Sequence, residues 1–219
     1  MSIVRILNIS FPLLALLSGI YGFKKLDKPL RVVLTMVGIG LCTELSVWVA
    51  VKMGSRNTIP GLHFYIMAEF FFWAVFYLYQ LDGFIKKNYV WYIILVFEIL
   101  CVLNFMFVQD LTEYPSTRAF EGLIISLFSI LVFYRILIEE RIKKLLYSPV
   151  VWINTVVLFY FSSNLFFHLV FNLMLIKNSE DLMFLIKYVF VSLNAIFYTG
   201  IAVGFLIQKL NYKANKILR

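Results

Sequence analysis

Three glutamates lie inside long apolar stretches of this sequence, at Glu44, Glu69 and Glu98. A carboxylate in such a position can bind a cation, exchange a proton or ligate a metal. It is also costly to insert, because an isolated charge at the centre of a bilayer costs at least about 2.5–3.5 kcal/mol on insertion scales. We therefore expect the three carboxylates to face a common interior, where they are paired or hydrated, and not the lipid.

A second group of polar side chains lies between Lys144 and Lys177, a stretch that contains no Asp, Glu, Lys or Arg. Asn164, His168 and Asn172 recur there at four-residue steps, which places them along one side of a helix. A polar stripe within lipid requires partners, so the other helices are expected to gather around it. This stretch is the element around which we expect the remaining helices to pack.

The composition identifies the environment of these groups. Hydrophobic residues make up 62% of the 219 residues and charged residues 15%, with a mean hydropathy of +0.89. Soluble domains are roughly 45–50% apolar and about 25% charged. No polar stretch is long enough for a separate soluble domain, so we expect a single membrane domain over residues 1–219.

The formal net charge of +8 does not indicate a nucleic-acid partner. The Lys and Arg residues lie in short clusters between apolar runs, which is how membrane topology is encoded. Nucleic-acid binding would instead require a basic face on a folded surface. We predict the lipid bilayer as a partner and no nucleic acid. Cys42 and Cys101 lie inside apolar runs and are expected to be free thiols packed as small hydrophobes.

Turn-forming and charged residues divide the chain into seven apolar stretches. About 20 apolar residues in a helix cross the hydrocarbon core of a bilayer. The predicted fold class is therefore all-α, a polytopic membrane protein with seven transmembrane helices. The predicted spans are about 3–23, 29–51, 62–80, 89–108, 118–138, 149–176 and 182–208.

The basic residues predict the orientation of these spans. Clusters at Lys24–Lys25, at Lys86–Lys87, at 141–144 and in the tail from Lys209 fall on one side, and fewer basic residues fall on the other. The side richer in Lys and Arg is cytoplasmic by the positive-inside rule. The N-terminus is therefore predicted to lie outside and the C-terminus in the cytoplasm, in an integral multi-pass protein of a cell inner or plasma membrane.

The depth of each polar group follows from a rise of about 1.5 Å per helical residue. Nearly all the buried acids and both histidines fall in the middle or outer layers. The inner half of the spans contains no ionisable group apart from Arg135, which lies near an inner end. This asymmetry predicts an acidic cavity that opens outward and binds a small polar or cationic ligand. The predicted ligand-binding residues are Glu44, Glu69, Glu98, Asn164, His168, Asn172, Asn194 and Tyr198.

Each of these groups also has a purely structural interpretation. Asn side chains in membrane helices often serve only to hydrogen-bond helices together, and a lone histidine is often a packing residue. Glu121 is expected to belong to the first turn of its helix, beside Arg118. Glu44 and Glu69 favour a functional role, because two acids at matched depth on successive helices are costly for a packing contact.

Several sites that carry sharp sequence signatures are absent. The chain has no His-Glu-x-x-His motif, and no Lys between Tyr188 and Gln208 that could form a retinal Schiff base. A metal site from Glu44, Glu69 and His168 is geometrically conceivable but has no spacing signature. We therefore predict neither a resident metal nor a cofactor.

The leading hypothesis is a receptor or sensory subunit that binds its ligand from outside and passes a helix rearrangement to a separate cytoplasmic signalling partner. The contact surfaces for that partner, or for anionic lipid, would be the basic segment 139–148 and the tail 209–219. The alternatives are a small-solute or proton-coupled transporter, an intramembrane enzyme that uses carboxylates, and a structural or assembly subunit.

Overall fold

The computed structural model describes residues 3–55, 57–139, 145–175 and 180–217, without the side chains of 3, 168–187 and 215–217. In these ranges the chain forms helices and no strand, and seven helices are long and apolar enough to cross a membrane. The predicted all-α class with seven spans is confirmed. The predicted orientation of the termini, like the single-domain organisation, stays a prediction.

The observed helices follow the predicted spans closely, except at the C-terminus. The last helix continues to Ile217, whereas the predicted span ends at Gln208 and leaves a basic tail. One π-helical turn, Asn104–Val108, follows the fourth helix. The helices are α1 (Ile3–Gly22), α2 (Lys28–Lys52), α3 (Ile59–Gln80), α4 (Lys87–Leu103), α5 (Thr117–Glu139), α6 (Pro149–Leu175) and α7 (Glu180–Ile217).

Local chemistry sets the starts of α2 and α6. The carboxylate of Asp27 accepts a hydrogen bond from the Leu30 main-chain N–H at 3.2 Å, and Pro29 lies in the first turn. The Ser148 hydroxyl caps α6 by accepting from the Val151 N–H at 3.4 Å. A side-chain acceptor at this position satisfies one of the main-chain donors that the first helical turn leaves free.

Packing between neighbours closes six of the helices into a ring. The extensive contacts join α1 with α2, α2 with α3, α3 with α5, α5 with α6, α6 with α7, and α7 with α1. Helix α4 lies outside this ring, mainly against α3, and exposes large apolar side chains such as Trp91 and Leu95. These exposed side chains form a surface suited to lipid.

Aromatic side chains fill the interior of the ring. Trp73 of α3 packs edge-on against Phe161 of α6 and Phe197 of α7, with ring centroids 6.3 and 5.8 Å apart. Helices α6 and α7 approach closely at Gly200 and Gly204, where an added Cβ would meet Val156 or Ile153 at under 3 Å. Small residues four apart allow such close approach in membrane helices.

The two ends of the ring are named here by the arginine buried at each. At the Arg118 end, α2 finishes and α3 and α5 begin; at the Arg135 end, α3 and α5 finish and α6 begins. According to the predicted topology, the Arg118 end is the outer one.

Candidate functional site

A buried arginine joins α3 to α5 near the start of α5. Arg118 donates from Nη1 both to Oε2 of Glu69 and, at 2.8 Å, to Oε2 of Glu121. The hydroxyl of Tyr65 donates to the other carboxylate oxygen of Glu69 at 3.2 Å. The ring of Phe161 lies beside the guanidinium, 6.0 Å from ring centroid to Cζ. Arg118, Glu69 and Glu121 are called the Arg118 cluster below.

The charges of the Arg118 cluster do not balance. Glu69 is 1% exposed and Glu121 is fully buried, so both carboxylates are removed from water, and they share one guanidinium. The second oxygen of Glu121, Oε1, has no hydrogen-bond partner among the described residues. Removing charges from water is costly unless each is paired and hydrogen-bonded. The cluster therefore has a surplus of negative charge and one buried acceptor that is not satisfied.

A cavity of about 310 Å³ adjoins this cluster at the Arg118 end. Its wall is formed by α2, α3, α5, α6 and α7 together with the loop before α5. It combines hydroxyl, carboxylate, amide and guanidinium groups with four tyrosine rings. Its lining includes Glu44, Tyr65, Tyr114, Arg118, Tyr160, Asn194 and Tyr198.

A glycine of α2 makes room for two of the tyrosines. An added Cβ on Gly40 would lie 2.7 Å from the hydroxyl oxygen of Tyr198 and 3.5 Å from that of Tyr65. Both hydroxyls therefore meet at the surface of α2, beside the cavity. A side chain at position 40 would displace the Tyr198 hydroxyl and change the shape of the cavity without changing its charge.

Hydrogen bonds tie the loops of the Arg118 end together. The Nε2 atom of the buried His63 lies 3.0 Å from the Glu113 carbonyl oxygen, and Asn57 donates to the Thr112 carbonyl at 3.3 Å. The side chain of Gln109 accepts from the Ser116 main-chain N–H at 2.9 Å. These bonds hold the loop that carries Tyr114 against the starts of α3 and α5.

Four of the predicted ligand-binding residues lie at this end. Glu44, Asn194 and Tyr198 line the cavity, and Glu69 lies in the Arg118 cluster behind it. Glu44 is half-buried on α2, and Arg5 of α1 acts on it electrostatically.

The other four predicted residues lie elsewhere or outside the described side chains. Glu98 is half-buried on α4, is not part of the cavity wall, and has one carboxylate oxygen without a partner. Asn164 donates to the Tyr160 carbonyl at 2.9 Å, within its own helix. The side chains of His168 and Asn172 lie outside the described part of the chain, so their predicted role stays a prediction.

The sequence-based set does not include Arg118, Glu121, Tyr65 or Tyr160. From the sequence, Arg118 and Glu121 are expected to belong to an ordinary charged first turn, since a pair three residues apart at a helix start commonly faces water. Their burial follows from the rotation of α5 toward α3, which hydropathy does not encode. The sequence does contain one signal. Both residues lie at the start of a long apolar stretch, where a buried charged pair requires a third polar partner.

The opposite end holds a second buried arginine with a different set of partners. Arg135 donates from Nε to Oε2 of Glu139 at 2.9 Å and from Nη1 to the main-chain carbonyl of Gln80. A cavity of about 390 Å³, lined in part by Asp82, lies beside it. Arg135, Glu139 and the Gln80 carbonyl are called the Arg135 cluster below.

Between the two ends, α3, α5 and α6 share a closed hydrogen-bond network. The hydroxyls of Tyr77 and Ser129 both donate to the Asn154 side-chain oxygen at 2.9 Å, and its amide nitrogen donates to the Ser129 carbonyl at 3.0 Å. Each side-chain polar atom of Asn154 therefore has a partner.

Neither thiol nor metal chemistry is indicated by the described residues. Cys42 and Cys101 are free thiols, as predicted; Cys101 is buried, whereas Cys42 is exposed and not packed in the interior as expected. In the described ranges, His, Cys, Asp and Glu side chains form no group of three suited to a metal ion. No known protein family matches the sequence, and no curated protein or solved structure matches it either.

Proposed function

We propose that this integral membrane protein is a receptor or sensory subunit that binds a small organic cation in the tyrosine-lined cavity at the Arg118 end. The observation that carries the proposal is the shared wall of that cavity, which combines the Glu44 carboxylate with four tyrosine rings. Carboxylates and aromatic faces are the two features that bind ammonium groups most often in proteins.

The electrostatics of the cavity favour a positive ligand. Arg118 also lines the cavity, but two carboxylates already compensate its charge. Glu44 adds a further negative charge at the wall, and it forms no salt bridge in the described part of the chain. A bound ammonium group would compensate Glu44 directly and the surplus charge of the Arg118 cluster at longer range.

The tyrosines add affinity of their own. A cation within about 6 Å of an aromatic centroid gains about 0.5–2 kcal/mol, with the larger values where water is excluded. The cavity volume of about 310 Å³ is at the lower end of the range for small-molecule sites, roughly 300–1,000 Å³. The ligand is therefore expected to be an amine of a few heavy atoms and not a peptide.

The receptor role follows from the predicted topology. The Arg118 end would face the exterior, and the Arg135 end, with the longest basic segments of the chain, would face the cytoplasm. A basic cytoplasmic face can contact anionic lipid or an acidic partner protein. We propose that a separate cytoplasmic signalling partner contacts this basic face.

Binding of defined ammonium probes tests the proposal. Tetramethylammonium and choline would be titrated into the purified protein in lipid nanodiscs, with affinity measured by calorimetry. Glu44→Gln is expected to weaken binding at least tenfold, equivalent to about 1.4 kcal/mol. Glu113→Gln is the matched control, because it removes the same charge from an exposed loop at the same end without touching the cavity wall.

A second pair of variants tests the cavity without changing charge. Gly40→Ala brings a methyl group against the Tyr198 hydroxyl, whereas Gly38→Ala on the same helix meets nothing closer than a Leu16 methyl carbon at 3.8 Å. We expect weaker choline binding in the first variant alone. The proposal is wrong if neither probe binds saturably, or if Glu44→Gln and Glu113→Gln reduce affinity equally.

A transporter is the second candidate, and the pair of cavities favours it. Cavities of about 310 and 390 Å³ lie at opposite ends of the ring, and on α3 the buried Trp73 lies between their lining residues Tyr65 and Tyr79. Alternating access to one central site would require such an arrangement. Uptake of labelled choline into proteoliposomes tests it, and saturable uptake that is lost in Glu69→Gln would replace the receptor role by transport.

A further inference from the structure

The unpartnered oxygen of Glu121 needs a physical explanation. Buried polar atoms nearly always have a hydrogen-bond partner, so each exception requires a specific explanation. Glu69 has a donor on each of its oxygens, from Arg118 and from Tyr65. Glu121 has one donor, Arg118 at Oε2, and its Oε1 has none. The two carboxylates are therefore not equivalent.

Among the side chains that the structure describes, the charged and titratable groups around Glu121 do not supply the missing positive charge. One of them, Arg118, is a cation, and it is shared with Glu69. The others are acids or neutral hydroxyl and thiol groups. By element, the groups around the Arg118 cluster are Tyr65 and Glu69 on α3, Glu98 and Cys101 on α4, Arg118 on α5, Tyr160 on α6, Tyr198 on α7 and Tyr114 in the loop before α5.

We propose that the Arg118 cluster binds one exchangeable proton, held on Oε1 of Glu121. A hydronium ion of the solvent transfers its proton to this oxygen and becomes water, the new O–H bond leaves Glu121 neutral, and Arg118 and Glu69 remain as a one-to-one ion pair. Its binding cancels the surplus charge of the cluster at the carboxylate that lacks a second donor. A metal cation would need several oxygen ligands around it, and the free oxygen of Glu121 is a single one.

Proton binding at Glu121 and cation binding in the cavity are expected to be coupled electrostatically. The proposed ligand cation and the proton both compensate the same surplus of negative charge, so each is expected to weaken the binding of the other. Ligand binding would then release protons. This link depends on the proposed function, whereas the proton site on Glu121 does not.

Infrared spectroscopy of the purified protein in lipid nanodiscs tests the proton site directly. A protonated carboxyl group has a carbonyl-stretching band that is separate from the bands of carboxylates and shifts in deuterated water. We expect this band at neutral pH in the wild type, in Glu98→Gln and in Glu44→Gln, and its loss in Glu121→Gln. A band that persists in Glu121→Gln and disappears in Glu98→Gln would assign the proton to Glu98 and overturn the proposal.

Thermal stability provides the second measurement. Glutamine has the shape of a protonated glutamate, so Glu121→Gln is expected to keep the melting temperature of the wild type. Glu69→Gln removes the ionised partner of Arg118 and is expected to lower it clearly. Equal losses in both variants would show that Glu121 is ionised and overturn the proposal.

Further outcomes separate the proton from other occupants. Absence of the band in the wild type, or a melting temperature that depends on sodium and not on potassium at fixed pH, contradicts a proton. If Glu121→Gln is not recovered, Glu121→Asp replaces it, because the band must then shift in frequency and must not shift in Glu98→Asp. These outcomes do not depend on choline, so failure of the ligand proposal leaves the proton site testable.

Discussion

The Arg118 end and the Arg135 end each contain a buried arginine, but the two arginines have different partners. Each buries a guanidinium at the end of α5 and uses it to attach α5 to α3. At the Arg135 end the guanidinium faces one carboxylate and one main-chain carbonyl, at Glu139 and Gln80. The main-chain carbonyl carries no charge, so the described residues of this cluster balance.

At the Arg118 end the guanidinium faces two carboxylates, Glu69 and Glu121, and both are almost fully removed from water. That cluster carries a surplus charge and an unsatisfied oxygen, and it adjoins a cavity with a further acid, Glu44. The cavity at the Arg135 end also has an acid, Asp82, but that acid is paired with Lys87 at 3.0 Å. The comparison shows that a buried arginine does not by itself indicate function. We propose that the balance of charge and hydrogen bonds around a buried arginine distinguishes one that only joins two helices from one whose cluster binds a proton or a ligand.

The largest predicted difference between the ends is the effect of removing each arginine. Arg118→Gln leaves the ionised Glu69 buried without its cation, and removing one partner of a buried ion pair costs about 3–5 kcal/mol. Arg135→Gln leaves Glu139, which is partly exposed at 23% and can be hydrated, so we expect about 1–2 kcal/mol, nearer the cost of a lost hydrogen bond. Tryptophan fluorescence during unfolding of the purified variants measures both.

A rescue experiment sharpens this prediction. The double variant Arg118→Gln with Glu69→Gln removes one cation and one anion, and it should recover much of the stability that Arg118→Gln alone loses. The same pairing at the other end, Arg135→Gln with Glu139→Gln, should recover little, because little is lost. Equal losses for the two single arginine variants would contradict the distinction between the ends.

The next effect concerns two asparagines of α6. Asn154 is fully buried and completes a network between three helices, so Asn154→Leu leaves the Tyr77 and Ser129 hydroxyls without that partner, at about 1–3 kcal/mol. Asn164 donates within its own helix, so Asn164→Leu should cost less. Melting temperatures of the two variants test this order. A larger loss for Asn164→Leu would indicate a partner for Asn164 beyond its own helix.

The fold was largely predictable, because hydropathy reports which stretches enter lipid. The seven helices and the starts of α2 and α6 follow from apolar length and from the residues Pro29, Ser148 and Pro149. The position of α4 outside the ring could not be predicted. A helix that faces lipid and a helix that faces apolar side chains have the same composition, and only the neighbours differ.

The sequence predicted the depth of the site residues along their helices, but not the helix face on which each side chain lies. Counting residues from the span ends places Glu44 and Glu69 in one layer, and both lie at the Arg118 end. Which face of a helix a residue occupies depends on helix rotation. For this reason the four-residue steps from Asn164 did not reveal that its amide binds its own helix, and the Arg118–Glu121 pair did not reveal that it turns inward.

A smaller effect concerns the tyrosines of the cavity. Tyr198→Phe keeps an aromatic ring beside the proposed ligand, whereas Tyr198→Leu removes it. Since a cation–π contact contributes about 0.5–2 kcal/mol, we expect choline affinity to fall several-fold in Tyr198→Leu and to change little in Tyr198→Phe. Calorimetry on both variants measures this. Tyr79→Leu, which changes a tyrosine of the Arg135-end cavity, is the control and should leave affinity unchanged.

The smallest effect is expected for Asp27, a carboxylate on the Arg135 side that has a local partner. Asp27 caps α2, and Asn caps about equally well, so Asp27→Asn should change stability by no more than a few tenths of a kcal/mol. Partial burial raises the pKa of Asp27 above its usual value of 3.8. The folded state therefore binds this proton more tightly than the unfolded state. The stability that this contributes is complete below the unfolded pKa and is lost as pH rises through the folded pKa.

Asp27→Asn should abolish this small loss of stability with rising pH. The contribution of Asp27 can therefore be measured as the difference between wild type and variant. Melting temperatures of wild type and variant, compared from about pH 3 to about pH 7, should diverge only in the acidic part of the range. Glu69→Gln over the same range should instead be less stable than the wild type at neutral pH, because its carboxylate is the ionised partner of Arg118. If Asp27→Asn lowers the melting temperature at neutral pH as much as Glu69→Gln does, the expected difference between the two ends is contradicted. That difference is that Glu69 pairs with a buried arginine, whereas Asp27 caps a helix.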